Sequence, residues 1–362
     1  MRTGLIGCGK VGGIHARALS ALPESEFAAV CDADPKRTEA FASEFRTMAF
    51  PSVTRMIRDG GVQAVCICTP HPLHGAAVLE AAECGAHALV EKPLAPNLRD
   101  CDLMINRAKR HNVKLGVVSQ RRFFEPVQRM KAAVEAGKIG TPVLGMMTML
   151  SWRDDAYYRS DPWRGKWATE GGGVLVNQSP HQLDILRWLM GEVDEISGYW
   201  VNANHPSIEV DDTAVACLRF QNGGLGSIVT SVSQRPGIYT KVHIHGSSGA
   251  SVGVQTDSGS TFIAGVSEME EPPVNDLWTI PGEESRLAEF IAEDRKRFFE
   301  RGDPEYYHKL QIREFLAAIV EERPPLVTAE DGRAVVELFT AIYLSQREGR
   351  PVKLPLNDSS EA

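Results

Sequence analysis

Over the first 118 residues, short apolar runs alternate with amphipathic segments of helical length. The runs cover residues 4–6, 27–31, 62–68, 87–90 and 114–118, with a weaker one at 48–50. The helical segments cover 11–21, 35–45, 73–84 and 98–111. The runs are mostly apolar throughout, as strands covered on both faces are. Strands spaced by helices in this way predict a parallel sheet with crossover helices, a doubly wound α/β domain. Gly85 suits the position after the third helix, and Asn97 suits the cap of the fourth.

After residue 118 the pattern changes. A helical segment at 126–136 stops at Gly137, and an apolar run follows at 143–150. An irregular aromatic stretch occupies 152–167, and a helix is expected near 176–190, closed by Gly191. Strands are expected at 213–220, 225–232 and 239–245. The first two are joined by Gln221-Asn222-Gly223-Gly224, a hairpin signal because Asn-Gly accepts positive φ. Two or three helices finish the chain, the last beginning at the capping box Thr328-Ala329-Glu330-Asp331 and ending before Gly349. This half reads as an α+β domain around a mainly antiparallel sheet. The boundary falls near residue 120, giving domains 1–120 and 121–362.

A chain of 362 residues is long enough for two such domains. Its 43% apolar and 24% charged residues are an ordinary globular balance. A net charge of −8 recommends neither a nucleic-acid nor an anionic-membrane partner. No apolar run approaches the roughly 18 residues of a membrane-spanning helix, and Met1 runs almost directly into the first strand, which leaves no room for a signal peptide. The seven cysteines are an odd number without a C-x-x-C pair, so a disulfide scaffold or zinc ribbon is not expected. These features predict a cytoplasmic protein.

Gly7-Cys8-Gly9-Lys10-Val11-Gly12 fits G-x-G-x-x-G between the first strand and the first helix. Gly7 permits the tight turn, Gly9 lets a pyrophosphate approach the backbone, and Gly12 lets the helix pack on the strand. Lys10 and Val11 open the helix, whose free amides hold phosphate. Asp32 stands twenty residues after Gly12 at the end of the second strand, where an acid binds the adenosine ribose hydroxyls. Asp32 favours NAD because its charge repels a 2′-phosphate, while Lys36 and Arg37 close by keep NADP open.

Ligands of an open α/β sheet bind beyond the carboxyl ends of the strands. Two loops there carry polar chemistry: Thr69-Pro70-His71-Pro72-Leu73-His74 and Glu91-Lys92-Pro93. An ammonium beside a nicotinamide can stabilise an oxyanion, whereas a strand-end lysine is ordinarily a solvated charge. His71 with His74 and His243 with His245 show no evident carboxylate or cysteine partner, so no metal is expected. Farther on, Gly171-Gly172-Gly173 leads to Asn177, His181 and Asp184, which share one face if the segment is helical throughout. His181 reads either as a general acid/base or as a hydrogen-bonded core histidine. The stretch from Tyr157 to Trp167 mixes aromatic and cationic groups. Tyr158, Trp163 and Arg164 suit a polyol pocket or, equally, a surface loop, and Arg122 is a further pocket candidate.

Taken together, the glycine loop, Asp32, Thr69-Pro70, Glu91-Lys92-Pro93 and the glycine triplet with His181 resemble the glucose–fructose oxidoreductase / inositol dehydrogenase (Gfo/Idh/MocA) family. The likeness runs nearly end to end and includes Arg122-Phe123, Gly137-Lys138-Ile139-Gly140 and Gly349-Arg350-Pro351-Val352-Lys353-Leu354-Pro355. The resemblance implies a Rossmann domain followed by a domain with a large open sheet often used for oligomer contacts, hence a homodimer or homotetramer. It implies hydride transfer between NAD(P) and a ring carbon of a sugar or cyclitol. It also implies that Lys92 touches the nicotinamide ribose and the reacting oxygen, and that His181 accepts the proton. Thr69, Pro70, His74 and Glu91 become expected cofactor contacts. Many relatives carry aspartate where this chain has Asn177. An asparagine orients a hydroxyl but takes no proton, which leaves His181, with Lys92 assisting, as the acid/base, and Asp184 as a candidate partner for the imidazole. His71 stands where asparagine is common. Two other activities fit the same resemblance: an NAD-dependent glycosidase working by transient oxidation and elimination, and a catalytically silent nucleotide sensor.

Overall fold

The computed structural model describes residues 1–256, 261–263, 266–268, 271–301 and 304–356. Two compact units emerge. The first comprises Met1–Gln120 and Asp303–Val336, the second Arg121–Gly302 and Glu337–Ala362.

In the first unit, β1 (Arg2–Ile6), α1 (Lys10–Ala21), β2 (Glu26–Cys31), α2 (Pro35–Phe45), β3 (Met48–Phe50), α3 (Val53–Arg58), β4 (Ala64–Ile67), α4 (His74–Glu83), β5 (His87–Val90), α5 (Leu98–Arg110) and β6 (Leu115–Val117) follow the expected alternation. The strands form one sheet in the order β3-β2-β1-β4-β5-β6, and all its pairings are parallel. Chain direction across the sheet reverses between β1 and β4, which makes the crevice beyond their carboxyl ends the topological switch point. Caps fall where the residue types ask for them. The Asn97 side chain accepts from the Asp100 amide and that of Asp34 from the Lys36 amide. Helix α3 is not announced by the sequence: a six-residue helix capped by Ser52 buries Val53, Met56 and Ile57, too short a period to stand out.

The late segment of this unit closes its core. Helix Tyr306–Val320 places Ile312, Phe315 and Leu316 in one buried cluster with Leu5, Leu19, Val30, Cys66 and Leu89. Gln311 satisfies the chain just past the last strand. Its Oε1 accepts from the Ser119 amide at 2.9 Å and its Nε2 donates to the Val117 carbonyl at 2.8 Å.

The second unit holds α6 (Glu125–Glu135), β7 (Pro142–Leu150), α7 (Asp155–Arg159), α8 (Trp167–Glu170), α9 (Pro180–Met190), β8 (Val193–Val201), β9 (Thr213–Phe220), β10 (Leu225–Ser231), β11 (Tyr239–Gly246) and β12 (Ser251–Thr256). There follow β13 (Thr261–Ile263), β14 (Val266–Glu268), β15 (Val274–Trp278) and α10 (Arg286–Arg301). After α11 (Tyr306–Val320) and α12 (Ala329–Glu348) comes β16 (Val352–Lys353). An eight-stranded sheet runs in the order β15-β12-β11-β7-β10-β9-β8-β16. β7 and β10 are parallel and the other neighbours antiparallel. The Asn222-Gly223 hairpin forms as expected, with Gly223 at φ +86° and the Asn222 side chain accepting from the Gly224 amide. α12 opens on the expected capping box: Thr328 Oγ1 accepts from the Asp331 amide, and Asp331 Oδ2 from the Thr328 amide.

One face of this sheet is packed by α9, which lies against β7 and β11. The other face carries several exposed apolar residues. Register aligns Leu144 with Leu225, Val229 with Val215, and Val215 with Tyr199. Leu144, Met146, Leu225, Val229, Val215, Tyr199 and Val201 are all exposed there, interspersed with Ser227, Thr148 and Arg219, and Tyr199 is 69% exposed.

Candidate active site

The carboxyl ends of β1, β2, β4 and β5 lie side by side, because Ile6 pairs with both Cys31 and Ile67, and Ile67 pairs with Val90. The glycine loop, Asp32, Thr69-Pro70 and Glu91-Lys92-Pro93 thus reach one edge of the first unit. The three glycines divide as the phosphate-loop argument requires. A Cβ on Gly7, which has φ +99°, would meet the Cys68–Thr69 backbone at 2.7 to 2.8 Å. One on Gly12 would lie 2.1 Å from the Gly7 carbonyl oxygen. At Gly9 nothing lies within 4 Å. That open cradle faces the start of α1, whose cap is Gly9, with no side-chain capping bond and no acid in the first turn. These residues fit a dinucleotide pyrophosphate. Lys10 and Val11 form the first turn of α1, with Lys10 exposed. Asp32 braces the same loop: Oδ2 accepts from the Cys8 amide at 2.7 Å and Oδ1 from the Asp34 amide at 2.9 Å.

His74 is buried and ties the two loops together. Nδ1 lies 3.0 Å from the Pro93 carbonyl and Nε2 lies 3.0 Å from that of Thr69. Both ring nitrogens thus face backbone carbonyls of the two loops. Thr69 Oγ1 is buried and makes no hydrogen bond. Pro70 opens the single 3₁₀ turn His71–Leu73, in which His71 is buried.

Behind Lys92 sits a charge pair that sequence reading did not find. His15 Nε2 lies 2.8 Å from Glu91 Oε1, and Glu91 Oε2 accepts from the Lys92 amide at 3.2 Å. Burial alone would raise the Glu91 carboxyl, but the His15 hydrogen bond and charge outweigh it and hold it at about 2. Burial likewise opposes charge on His15. The facing Cys68, Cys66 and Glu91 side chains raise it well above the ordinary imidazole range, Glu91 being the charged one. His308 is held down to about 4 by burial and by the neighbouring His15 charge. Glu91 therefore anchors the strand end that presents Lys92. Among the described residues, His15, Glu91 and His308 form the one group of metal-ligand types, with ligand atoms within 4.8 Å. Within it, His15 Nε2 pairs with Glu91, while His15 Nδ1 and His308 Nδ1 are buried without a hydrogen-bond partner. The expectation that His243 lacks a carboxylate is corrected, since Asp276 lies 2.9 Å from its Nε2.

In the second unit the glycine triplet is clamped by Asp211, another residue the sequence did not mark. The buried Asp211 carboxylate accepts from the Gly173 amide at 2.7 Å, the Leu175 amide at 3.0 Å and the Tyr343 hydroxyl at 2.6 Å. A Cβ on Gly173 would lie 1.9 Å from the Asp211 carbonyl. The segment is not one continuous helix. Val174–Gln178 forms a wide turn in which the Ser179 amide bonds the Val174 carbonyl, five residues back, and α9 starts at Pro180. Such turns concentrate at functional sites. His181 is the second residue of α9 and 8% exposed, and Asn177 precedes the helix.

Arg122 and Tyr158, expected in the pocket, and Asp184, the expected partner of His181, are all buried. Asp184 is paired with a cation. Its carboxylate is held by Arg122 through Nε at 2.7 Å and Nη2 at 2.5 Å, with both side chains buried. Arg122 also stacks 4.9 Å from the centroid of the Trp188 ring, so it is a core cation. Tyr158 is packed with Tyr157, Ile208 and Val210, and its hydroxyl is buried. Arg164 and Trp163 do come together, the guanidinium lying 4.4 Å from the Trp163 ring centroid and 4.3 Å from that of Tyr157. Arg164 also donates to the Tyr157 hydroxyl at 2.5 Å and pairs with Asp161 at 3.1 Å. Tyr157, Glu170 and Asn177 form one hydrogen-bonded group, in which Asn177 Nδ2 donates to Glu170 Oε1 at 2.5 Å and to the Tyr157 hydroxyl at 3.1 Å. No pattern in the sequence marks Glu170.

Residues 1–119 match a family model described as oxidoreductase family, NAD-binding Rossmann fold, and residues 127–252 match the GFO/IDH/MocA C-terminal domain. Myo-inositol 2-dehydrogenase of Thermotoga maritima is 30% identical over 360 residues, 98% of each chain. D-apiose dehydrogenase of Rhizobium rhizogenes is 29% identical over 255 residues, 69% of this chain and 72% of the other. The crystal structure of the WlbA dehydrogenase from Bordetella pertussis, in complex with NADH and UDP-GlcNAcA, is similar with a TM-score of 0.81 and 27% identity over 99% of both chains.

Proposed function

Because the chain belongs to the GFO/IDH/MocA oxidoreductase family, we propose that it transfers hydride between NAD and a secondary hydroxyl of a sugar, sugar derivative or inositol. The observation that carries this reading is the strand-end edge of the first unit, where an open glycine cradle, an acid and a rigidly anchored lysine stand on neighbouring strands. The named activities of the relatives support the substrate class.

NAD, when bound, supplies the hydride acceptor. Lys92 stabilises the alkoxide that develops as the hydroxyl proton leaves, by charge and hydrogen bonding. Glu91 and the loop tie through His74 hold the strand end that carries it. His181 takes the hydroxyl proton, since a neutral imidazole is a competent base near pH 7. Asp32 disfavours a 2′-phosphate.

The test is a panel of sugars, glycosides and inositols assayed separately with NAD and NADP. The expected result is NADH formation with at least one polyol, and a preference for NAD of about tenfold or more, because a like charge beside the phosphate costs several kcal/mol. A panel giving no reduced nucleotide overturns the dehydrogenase reading. Release of nitrophenol from a nitrophenyl glycoside without net NADH assigns the elimination chemistry instead.

We also infer that the chain works as a homo-oligomer. Exposed apolar side chains on β7, β10, β9 and β8 support this reading, since such groupings mark interaction surfaces. Val229→Glu is expected to shift sedimentation equilibrium towards monomer, and a wild-type monomer at micromolar concentration refutes the assignment.

A further inference from the structure

Three side chains of metal-ligand type converge inside the first unit from distant points of the chain: His15 on α1, Glu91 just past β5 and His308 on α11. Each offers one ligand atom, and the three atoms lie within 4.8 Å of one another. Hydrogen bonding accounts for only part of this group. His15 is 1% exposed, and its Nε2 meets Glu91 Oε1 at 2.8 Å. Its Nδ1 and the Nδ1 of His308 are buried and make no hydrogen bond. Burying a polar nitrogen without a partner is costly. Here two such nitrogens belong to rings packed edge to face, with centroids 5.2 Å apart. Apolar rings would fill the same volume without that cost.

We propose that His15, Glu91 and His308 form a binding site for a divalent transition-metal ion of the zinc type, behind the strand end that carries Lys92. Imidazole nitrogen with carboxylate oxygen is a zinc donor set. Metal binding here does not depend on the hydride-transfer reading. Zinc bonds of about 2.0–2.2 Å to nitrogen and oxygen place tetrahedral ligand atoms roughly 3.4 Å apart. His15 Nε2 and Glu91 Oε1 then part by about 0.6 Å, and the widest pair closes by at most about 1.4 Å, the scale of a side-chain rotation. Glu91 Oε2 accepts from the Lys92 amide, an outer bond of the kind that orients a ligating carboxylate. The Cys68 thiol borders both His15 and Glu91 and is placed to take the fourth position. On binding, the proton shared by His15 and Glu91 leaves to solvent, and the freed lone pairs pass to the ion. Ligation by Cys68 expels a second proton, since a metal-bound thiol is deprotonated outright. A divalent ion then replaces two protons, so the charge of the buried site is unchanged. His308 is partly exposed, which leaves the ion a way in.

The experiment titrates full-length, chelator-stripped protein with Zn²⁺ by calorimetry, without substrate or nucleotide. One ion per chain is expected to bind wild type, and H308A is expected to bind it at least about a hundredfold more weakly, since loss even of an outer-shell partner costs tenfold to a hundredfold. With free Zn²⁺ at about a hundred times Kd, the melting temperature of wild type is expected to rise by about 5 to 10 °C. Under the same conditions that of H308A should move by no more than about 2 °C. Mg²⁺, which prefers oxygen ligands and keeps its waters, is expected to change neither. Wild type that binds no Zn²⁺ overturns the proposal, and that arm needs no variant to fold. Undiminished binding by H308A also overturns it. So does binding that survives H308A and is lost in H243A, which assigns the ion to the pair of His243 and Asp276.

Discussion

Lys92→Ala is expected to lower kcat by on the order of a thousandfold while leaving NAD affinity within about twofold, the size of effect seen when one preorganised donor to a developing oxyanion is removed. The argument is geometric. The Lys92 backbone amide is bonded to Glu91, and the loop behind it is tied by His74 to the Thr69 carbonyl. Truncating the side chain beyond Cβ therefore leaves the strand end in place and deletes only the ammonium. In the function proposed above NAD is held by the glycine cradle and Asp32, which the substitution does not touch. Turnover is read by NADH absorbance on whichever polyol the panel identifies, and nucleotide affinity by titration calorimetry. Ordinary turnover by the variant would remove Lys92 from the chemistry. Lost nucleotide binding would show instead that the lysine holds the cofactor.

Arg122→Ala is expected to destabilise the protein by about 3 to 5 kcal/mol, because it strands the buried Asp184 carboxylate without its cation. For a unit of this size that corresponds to a melting temperature lowered by roughly 10 °C. The contrasting variant removes both charges. Arg122→Met with Asp184→Leu is expected to melt within a few degrees of wild type, because apolar side chains of similar volume often replace a buried pair without loss. Thermal unfolding followed by circular dichroism checks both. A single variant as stable as wild type would mean that the carboxylate finds another partner. The double variant also separates packing from recognition: with Arg122 a core cation, KM for the polyol should stay unchanged within about twofold.

Particular residues show where sequence reasoning reached and where it stopped. The parallel sheet was legible because its strands are buried on both faces, so each is an unbroken apolar run. The glycine loop was legible because each glycine answers a local steric demand, a positive φ at Gly7 or a close backbone at Gly12. The hairpin at Asn222-Gly223 and the box at Thr328 are likewise local in sequence. The Arg122–Asp184 pair was not legible, because a pairing across 62 positions leaves no trace in either segment. His181 and Asn177 were expected on one continuous helix, whereas Asp211, contacting from 38 positions away, holds the glycine triplet and the following segment takes a wide turn.

The amino-acid order thus determined, on its own, whatever depends on neighbours within about one turn or one strand: element type, caps, the phosphate turn and the acid that follows it. Tertiary structure alone decided which charges meet. It brought His15 to Glu91 beneath the lysine, set Glu170 behind Asn177, turned Asp184 to Arg122, and returned helix α11 to the first core after nearly two hundred residues. The reason is physical. Propensity and periodicity act over a few residues, whereas pairing a buried charge is a condition on three-dimensional neighbours, which many different sequences can satisfy.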